Sequence, residues 1–152
     1  MDPQVEVADI RSKNFDCMIL IHPTIHRLER AMDEFIRTKP LLLLDIGREL
    51  GIFLLDVPQG ERTHAIRHWF EQQVDTCEKP PLVCFHIDFL FLPVLNLDPL
   101  TMFRQAARRI KLVVLWPGDF TERTLSYAVP SHKHYRTWEV FDSSTAICRL
   151  DD

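Results

Sequence analysis

The sequence predicts an α/β fold: a single three-layer domain around a mainly parallel sheet. Three observations predict it. Short apolar runs of strand length recur along the chain, segments with helical spacing separate them, and the connections are short. Such alternation calls for right-handed crossovers between neighbouring parallel strands. The chain has 152 residues, enough for one domain with a real core and too few for two.

The elements follow in order. A short leading helix is expected over 4–11. The first strand is 17–21, an unbroken apolar run. A helix over 24–37 places Ile25, Leu28, Ala31, Met32, Phe35 and Ile36 on one buried side. The second strand, 41–45, holds four leucines after Pro40, which suits a strand covered on both faces. A short helix is expected over 47–55, then a turn at Pro58-Gln59-Gly60.

The segment 62–77 reads as a strong helix, with Ile66, Trp69, Phe70, Val74 and Cys77 along one side. Lys79-Pro80-Pro81 stops it, and 82–86 is the third strand. Asp98-Pro99 is a helix start, with the aspartate as N-cap and proline at the first position; this helix buries Leu100, Phe103, Ala106 or Ala107, and Ile110. The fourth strand is 111–116. From Thr124 to the last residue, 124–152, the chain reads as an irregular tail with edge strands over 137–141 and 145–150. Ligands of open α/β sheets sit outside the carboxyl ends of the strands. Those ends carry His22, Asp45, His86 with Asp88, and Pro117.

Composition narrows the function. Apolar residues make up 46% and charged residues 26%, as in a folded soluble chain. The net charge of -4 argues against general nucleic-acid binding, although it leaves room for a local basic patch. Four cysteines occur, none in a C-x-x-C pair, so free thiols in a reducing, cytoplasmic setting are expected. Residues 1–11 lack a signal-peptide core, and the longest apolar run, 85–97, is broken by His86, Asp88, Pro93 and Asn96, so no membrane span is expected.

The segment from His22 to Glu29 stands where a phosphate-binding loop, G-x-x-x-x-G-K-[ST], lies in P-loop nucleotide binders, and has its length. His22 and Arg27 hold the glycine positions, Leu28 the lysine position and Glu29 the hydroxyl position.

Downstream, Ile87-Asp88-Phe89-Leu90-Phe91, then Leu97-Asp98-Pro99-Leu100, Arg108, Val113-Val114-Leu115-Trp116 with Gly118, and Leu125-Ser126-Tyr127-Ala128-Val129-Pro130 with His132 and Tyr135 form a recognisable series. Through it the chain resembles the BrxF family, small P-loop proteins of type 3 BREX phage-defence systems. The pattern is an acidic residue in an apolar strand, D-P-L, W-x-G, and Y-A-x-P-x-H-x-x-Y. The first half fits more weakly. The resemblance implies a P-loop NTPase-like fold, and the departures fall where a nucleotide would bind. The family's glycine-rich loop and lysine are missing. Phe85 holds the position of the acid for magnesium, and Pro117 that of a polar residue after the fourth strand; Asp88 keeps the second acidic position.

These departures remove the chemistry. A phosphate cradle needs consecutive inward N–H groups in conformations that glycine adopts readily and Ile25, His26 and Arg27 resist. Leu28 supplies no charge. Glu29 would repel a nearby phosphate by roughly 1–4 kcal/mol per unit charge. Phe85 holds no metal-bound water. The expectation is a chain that is not an enzyme and needs no cofactor or metal.

Other features have ordinary readings. His22/His26, His64/His68 and His132-x-His134 have no fixed acidic third ligand and read as surface or capping histidines. Ser126, Ser131, Ser143 and Ser144 lack a nucleophile-elbow context. Asp88 beside His86 reads as a structural hydrogen-bonding or ion-pairing group. Arg104, Arg108, Arg109 and Lys111 form the densest basic group, with Arg104 and Arg108 on one helix face: either a solvated face or a contact for DNA or an acidic partner. Tyr127, His132, Tyr135 and Trp138 belong to an aromatic stretch that either anchors a partner or tucks back over the sheet.

The resemblance implies a non-catalytic subunit of an anti-phage defence system, acting on an ATPase or methyltransferase of the same system. The alternatives are an atypical nucleotide binder using His22, Arg27 or Asp88, and a small DNA-binding regulator using Arg104, Arg108 and Arg109.

Overall fold

Apolar side chains alternate across the strands, so each strand feeds two cores. In the computed structural model, which describes residues 15–38, 41–141 and 145–152, these strands form one sheet. The leading helix expected over 4–11, Pro40, Ser143 and Ser144 lie outside the described residues.

The order along the chain is β1 (Cys17–His22), α1 (Ile25–Arg37), β2 (Leu42–Asp45), α2 (Ile46–Phe53), α3 (Arg62–Asp75), β3 (Leu82–Phe85), α4 (Pro99–Ala106), β4 (Leu112–Thr121), β5 (Thr124–Tyr127), β6 (Arg136–Glu139) and β7 (Thr145–Arg149). Among the described residues there are seven strands and four α-helices. The parallel part runs β2–β3–β4–β1–β7; β5 and β6 extend it, antiparallel, from the far half of β4.

The two faces are dressed differently. Met18, Leu20, Val83, Val113 and Leu115 pack with Ala31 and Phe35 of α1. Ile19, Ile21, Cys84, Val114 and Trp116 pack with α2, α3 and α4. Three layers result. Phe35 is fully buried, a contribution of about 1.5–3 kcal/mol. Phe70 of α3 meets Phe103 of α4 edge to face, 5.6 Å between ring centres, and ties the two helices together.

Several expected boundaries move. The α3 helix ends at Asp75 rather than at 77, because the Thr76 hydroxyl donates back to the Gln72 carbonyl at 2.8 Å. Asp98 caps α4 as expected, accepting from the Thr101 N–H at 3.2 Å, with Pro99 at the first position. The helix stops at Ala106, so Arg108 lies in the following turn and does not share a helix face with Arg104.

The largest correction concerns the end of the chain. β4 does not stop at Trp116 but runs on to Thr121, so Pro117 lies within a strand rather than in a turn. There β4 changes partners. Through Pro117 it pairs in parallel with β1, and from Gly118 it pairs antiparallel with β5. Proline has no N–H to continue the parallel ladder. Its carbonyl instead accepts from the Ala128 N–H at 2.9 Å. The edge strands expected over 137–141 and 145–150 are present as β6 and β7, of which only β7 joins the parallel sheet, while β5 stands where an irregular stretch was expected.

Candidate functional site

Parallel register brings the strand ends to one rim. His22 stands beside Pro117, and Asp45 beside Phe85. Because β1 ends at His22 and α1 starts at Ile25, only Pro23 and Thr24 join them. This agrees with the strand over 17–21 and the helix from 24 read in the sequence, and it leaves no loop of phosphate-binding length between them. Arg27, Leu28 and Glu29 stand on the first turns of the helix. The joint closes on itself: His22 Nδ1 accepts from the Thr24 N–H at 3.0 Å. That leaves Nε2 to donate to Asp152 Oδ1 at 2.7 Å. His22 is 3% exposed, a buried and doubly satisfied group rather than an open glycine position.

Glu29, Asp45 and His86 meet at the rim. His86 Nδ1 lies 3.0 Å from Asp45 Oδ1, and Nε2 lies 3.3 Å from Glu29 Oε1. Ionised carboxylates only accept, so the doubly protonated ring is the form that satisfies both contacts. Burial alone would lower its pKa; the hydrogen bonds and charges of Asp45, then of Glu29, outweigh that and raise it above the ordinary histidine value. Asp45 also caps α2, accepting from the Arg48 N–H at 3.1 Å. His86 adopts φ 55°, a left-handed turn that leads the chain out of β3. The two carboxylates bind opposite nitrogens and share no common centre. Among the described residues no group of three His, Cys, Asp or Glu is arranged to hold a metal ion.

Phe85 is buried and turns toward α1, where Ile25, Leu28 and Met32 line the same depression. Its free space is about 30 Å³, room for about one water molecule. Small-molecule sites run to roughly 300–1,000 Å³. Asp88 is exposed, and its Oδ1 accepts from the Tyr127 hydroxyl at 2.7 Å. This bond, after burial, raises the tyrosine's pKa. The carboxylate is thus engaged in a structural bond.

The far end of the chain completes the rim. Leu150 N–H donates to the Ile21 carbonyl at 2.9 Å, which carries Asp151 and Asp152 onto the start of α1. Arg27 Nε donates to the Asp151 carbonyl. Arg27 Nη1 is shielded and has no hydrogen-bond partner. The His22 hydrogen bond holds the Asp152 carboxyl below its ordinary range, with Arg149 and Arg27 adding to it. Glu29, Asp45, Asp88, Asp151 and Asp152 gather carboxylates at this rim, with His86, Arg27 and Arg149 set among them.

The remaining candidates spread over the surface. Arg104 and Arg108 line one depression at the opposite, amino end of the sheet, while Arg109 pairs with Asp75. Tyr127 is 3% exposed and stacks on Phe91, ring centres 3.7 Å apart, so it tucks back and is not a partner contact. His132 packs edge to face on Tyr127 at 5.7 Å. Tyr135 is 40% exposed. His64 and His68 are exposed on α3. All four cysteines are free thiols; Cys17, Cys84 and Cys148 are buried, and burial raises the Cys84 pKa. No helix among the described residues is long and apolar enough to cross a membrane.

No protein-family model, curated protein or solved structure matches this chain. The rim itself is the finding. Sequence reading named its members at the strand ends, but missed the Glu29–His86–Asp45 bridge and the part played by Asp151 and Asp152. Asp152 lies 130 positions from His22, and no local pattern links them.

Proposed function

We propose that the chain is a non-catalytic subunit with a P-loop-like fold, acting by protein–protein contact in a prokaryotic anti-phage system similar to BREX. The pathway rests on the BrxF resemblance of Asp88, Asp98-Pro99, Trp116, Gly118, Tyr127, Ala128, Pro130, His132 and Tyr135. The lack of catalysis rests on one observation: two residues join β1 to α1. No backbone remains there to wrap a phosphate. Leu28, Glu29 and Phe85 stand where cation, metal ligand and acid are required. Cofactor-free docking on an ATPase or methyltransferase of the system is the corresponding role, through the carboxyl-end rim and the exposed part of 127–138.

A nucleotide-binding reading has one point in its favour, the shielded and unpartnered Nη1 of Arg27. Calorimetric titration with ATP, ADP and GTP in magnesium separates the two. No binding is expected. A Kd below about 100 µM, roughly -5.5 kcal/mol, would overturn the non-catalytic reading. Pull-down from the native operon then tests the partner.

A further inference from the structure

A second surface, on the other side of the aromatic cluster, has the opposite character. The turn over 129–135 faces the 3-10 turn Pro93–Leu95 across a depression of about 290 Å³. Phe91 and Leu97 line it, with Lys133, His134, Tyr135 and Arg136 on the same wall. We propose that this depression is a binding site for single-stranded nucleic acid, with one base stacked on Tyr135 and the flanking phosphates on Lys133 and Arg136.

Three observations carry this. First, an aromatic face is offered: Tyr135 is 40% exposed, and its hydroxyl has no hydrogen-bond partner among the described residues. Base-on-aromatic stacking needs such a face and tolerates any base. Second, cations frame it. Lys133 is exposed and has no ion-pair partner among the described residues. Arg136 is held in place, donating to the Leu97 carbonyl at 2.7 Å and lying over the Trp138 ring at 4.9 Å. Its Nη2 also lies 4.0 Å from Asp98 Oδ2, a long ion pair at the edge of contact, while Asp98 Oδ1 accepts from the N–H groups of Thr101 and Trp138. The adjoining trough between α3 and α4 shares Leu97 and adds Arg67, an exposed cation one helical turn from Glu71, with Asp98 in the same lining.

Third, the turn is set before any ligand arrives. His132 N–H donates to the Val129 carbonyl at 2.8 Å, His134 N–H to His132 Nδ1 at 2.9 Å, and Tyr135 N–H to the His132 carbonyl at 3.2 Å. Little ordering entropy is then left for binding to cost. An acidic peptide would use the cations but leave the apolar floor without a planar occupant. A duplex keeps its bases stacked and offers no free face. The inference gives Lys133, Tyr135 and Arg136 to a nucleic acid in place of the protein partner proposed above for this segment, and it does not depend on the state of the nucleotide rim.

Fluorescence anisotropy on the full chain tests it, with labelled oligothymidylate of about 12 nucleotides at about 50 and 200 mM salt. Saturable binding that weakens with salt is expected. Tyr135→Ala should weaken it by about 5- to 100-fold, and Tyr135→Phe by less than about twofold, since the ring remains. Lys133→Ala should lower the salt slope by about 0.7. Both side chains are exposed, so a circular dichroism spectrum equal to the parent's is expected. The proposal is overturned by no binding at about 100 µM protein in low salt, by equal competition from polyglutamate, by equal affinity for a duplex, or by a loss that follows Arg104→Ala with Arg108→Ala and spares Tyr135→Ala.

Discussion

The ends of β1–β3 and the far half of β4 are built in opposite ways. At the strand ends, polar side chains meet near solvent: His86 lies half-exposed between Asp45 and Glu29, and the exposed Asp152 reaches the buried His22 ring. Around β4, aromatic rings meet out of solvent. Phe91 stacks on Tyr127 and stands edge-on to Trp116 and Trp138 at 5.1 and 5.9 Å. The comparison teaches where stability and adaptability reside. Exposed ion pairs contribute about 0–1 kcal/mol each, whereas a buried aromatic side chain contributes several. The rim can therefore change its residues at little cost to the fold, and the aromatic unit cannot. The residues on which the proposed BrxF reading rests fall largely in this second region: Trp116, Gly118, Tyr127 and Ala128 hold it, with Asp88 bonded to it.

The sharpest way to break the comparison is at Gly118. The Ser126 carbonyl there accepts from the Trp116 indole N–H at 2.9 Å. A β-carbon on residue 118 would fall 1.8 Å from that same oxygen. Neither backbone can give way without parting β4 from β5. Gly118→Ala should cost at least about 3 kcal/mol, seen as a lower urea midpoint or loss of soluble protein. A variant as stable as the parent would show that this pairing does not hold the aromatic unit together.

The W-x-G spacing was visible in the sequence, but not its cause. Trp116 and Gly118 meet one carbonyl, so the pair reads as a turn until β5 is placed against β4. Helices were legible because their apolar spacing and caps are local: Asp98-Pro99 marked α4, and Phe35 the inner side of α1. Of the antiparallel extension, β6 was legible as an edge strand over 137–141, but β5 was not, because the four residues Thr124–Tyr127 carry too little alternation. At the rim, His22, Asp45 and His86 could be placed at strand ends from topology alone. Their bonds could not, because each joins segments far apart in the chain, 57 positions for His86 and Glu29. The short β1–α1 joint was legible, since a strand over 17–21 and a helix from 24 leave only two residues between them.

A smaller effect is expected where the two regions touch. Tyr127→Phe keeps the buried ring and its stack on Phe91 but removes the bond to Asp88. The loss should be about 0.5–1.5 kcal/mol at neutral pH. The folded-state pKa of Tyr127 is raised, so the folded protein keeps a proton that the unfolded chain releases near pH 10. Stability should therefore fall above about pH 10 in the parent and fall less in the variant. Parallel alkaline limbs in urea titrations of the two would remove this link between the regions.

The smallest effect is expected at the rim, and its sign is set by the imidazolium. His86 has a raised folded-state pKa, so its contribution is fully present below the unfolded value of about 6.5 and is lost as pH rises through the folded value. His86→Ala keeps a β-carbon and therefore the cost of φ 55°, which isolates the ring. The imidazole is 41% exposed, so solvent screens both of its pairs. The variant should lose about 0.2–1 kcal/mol near pH 5.5 and converge on the parent near pH 9, in urea midpoints measured across that range. A difference that stays constant with pH would mean that His86 acts through packing beside Phe85, its neighbour at 5.7 Å, and that the rim is less electrostatic than its geometry makes it.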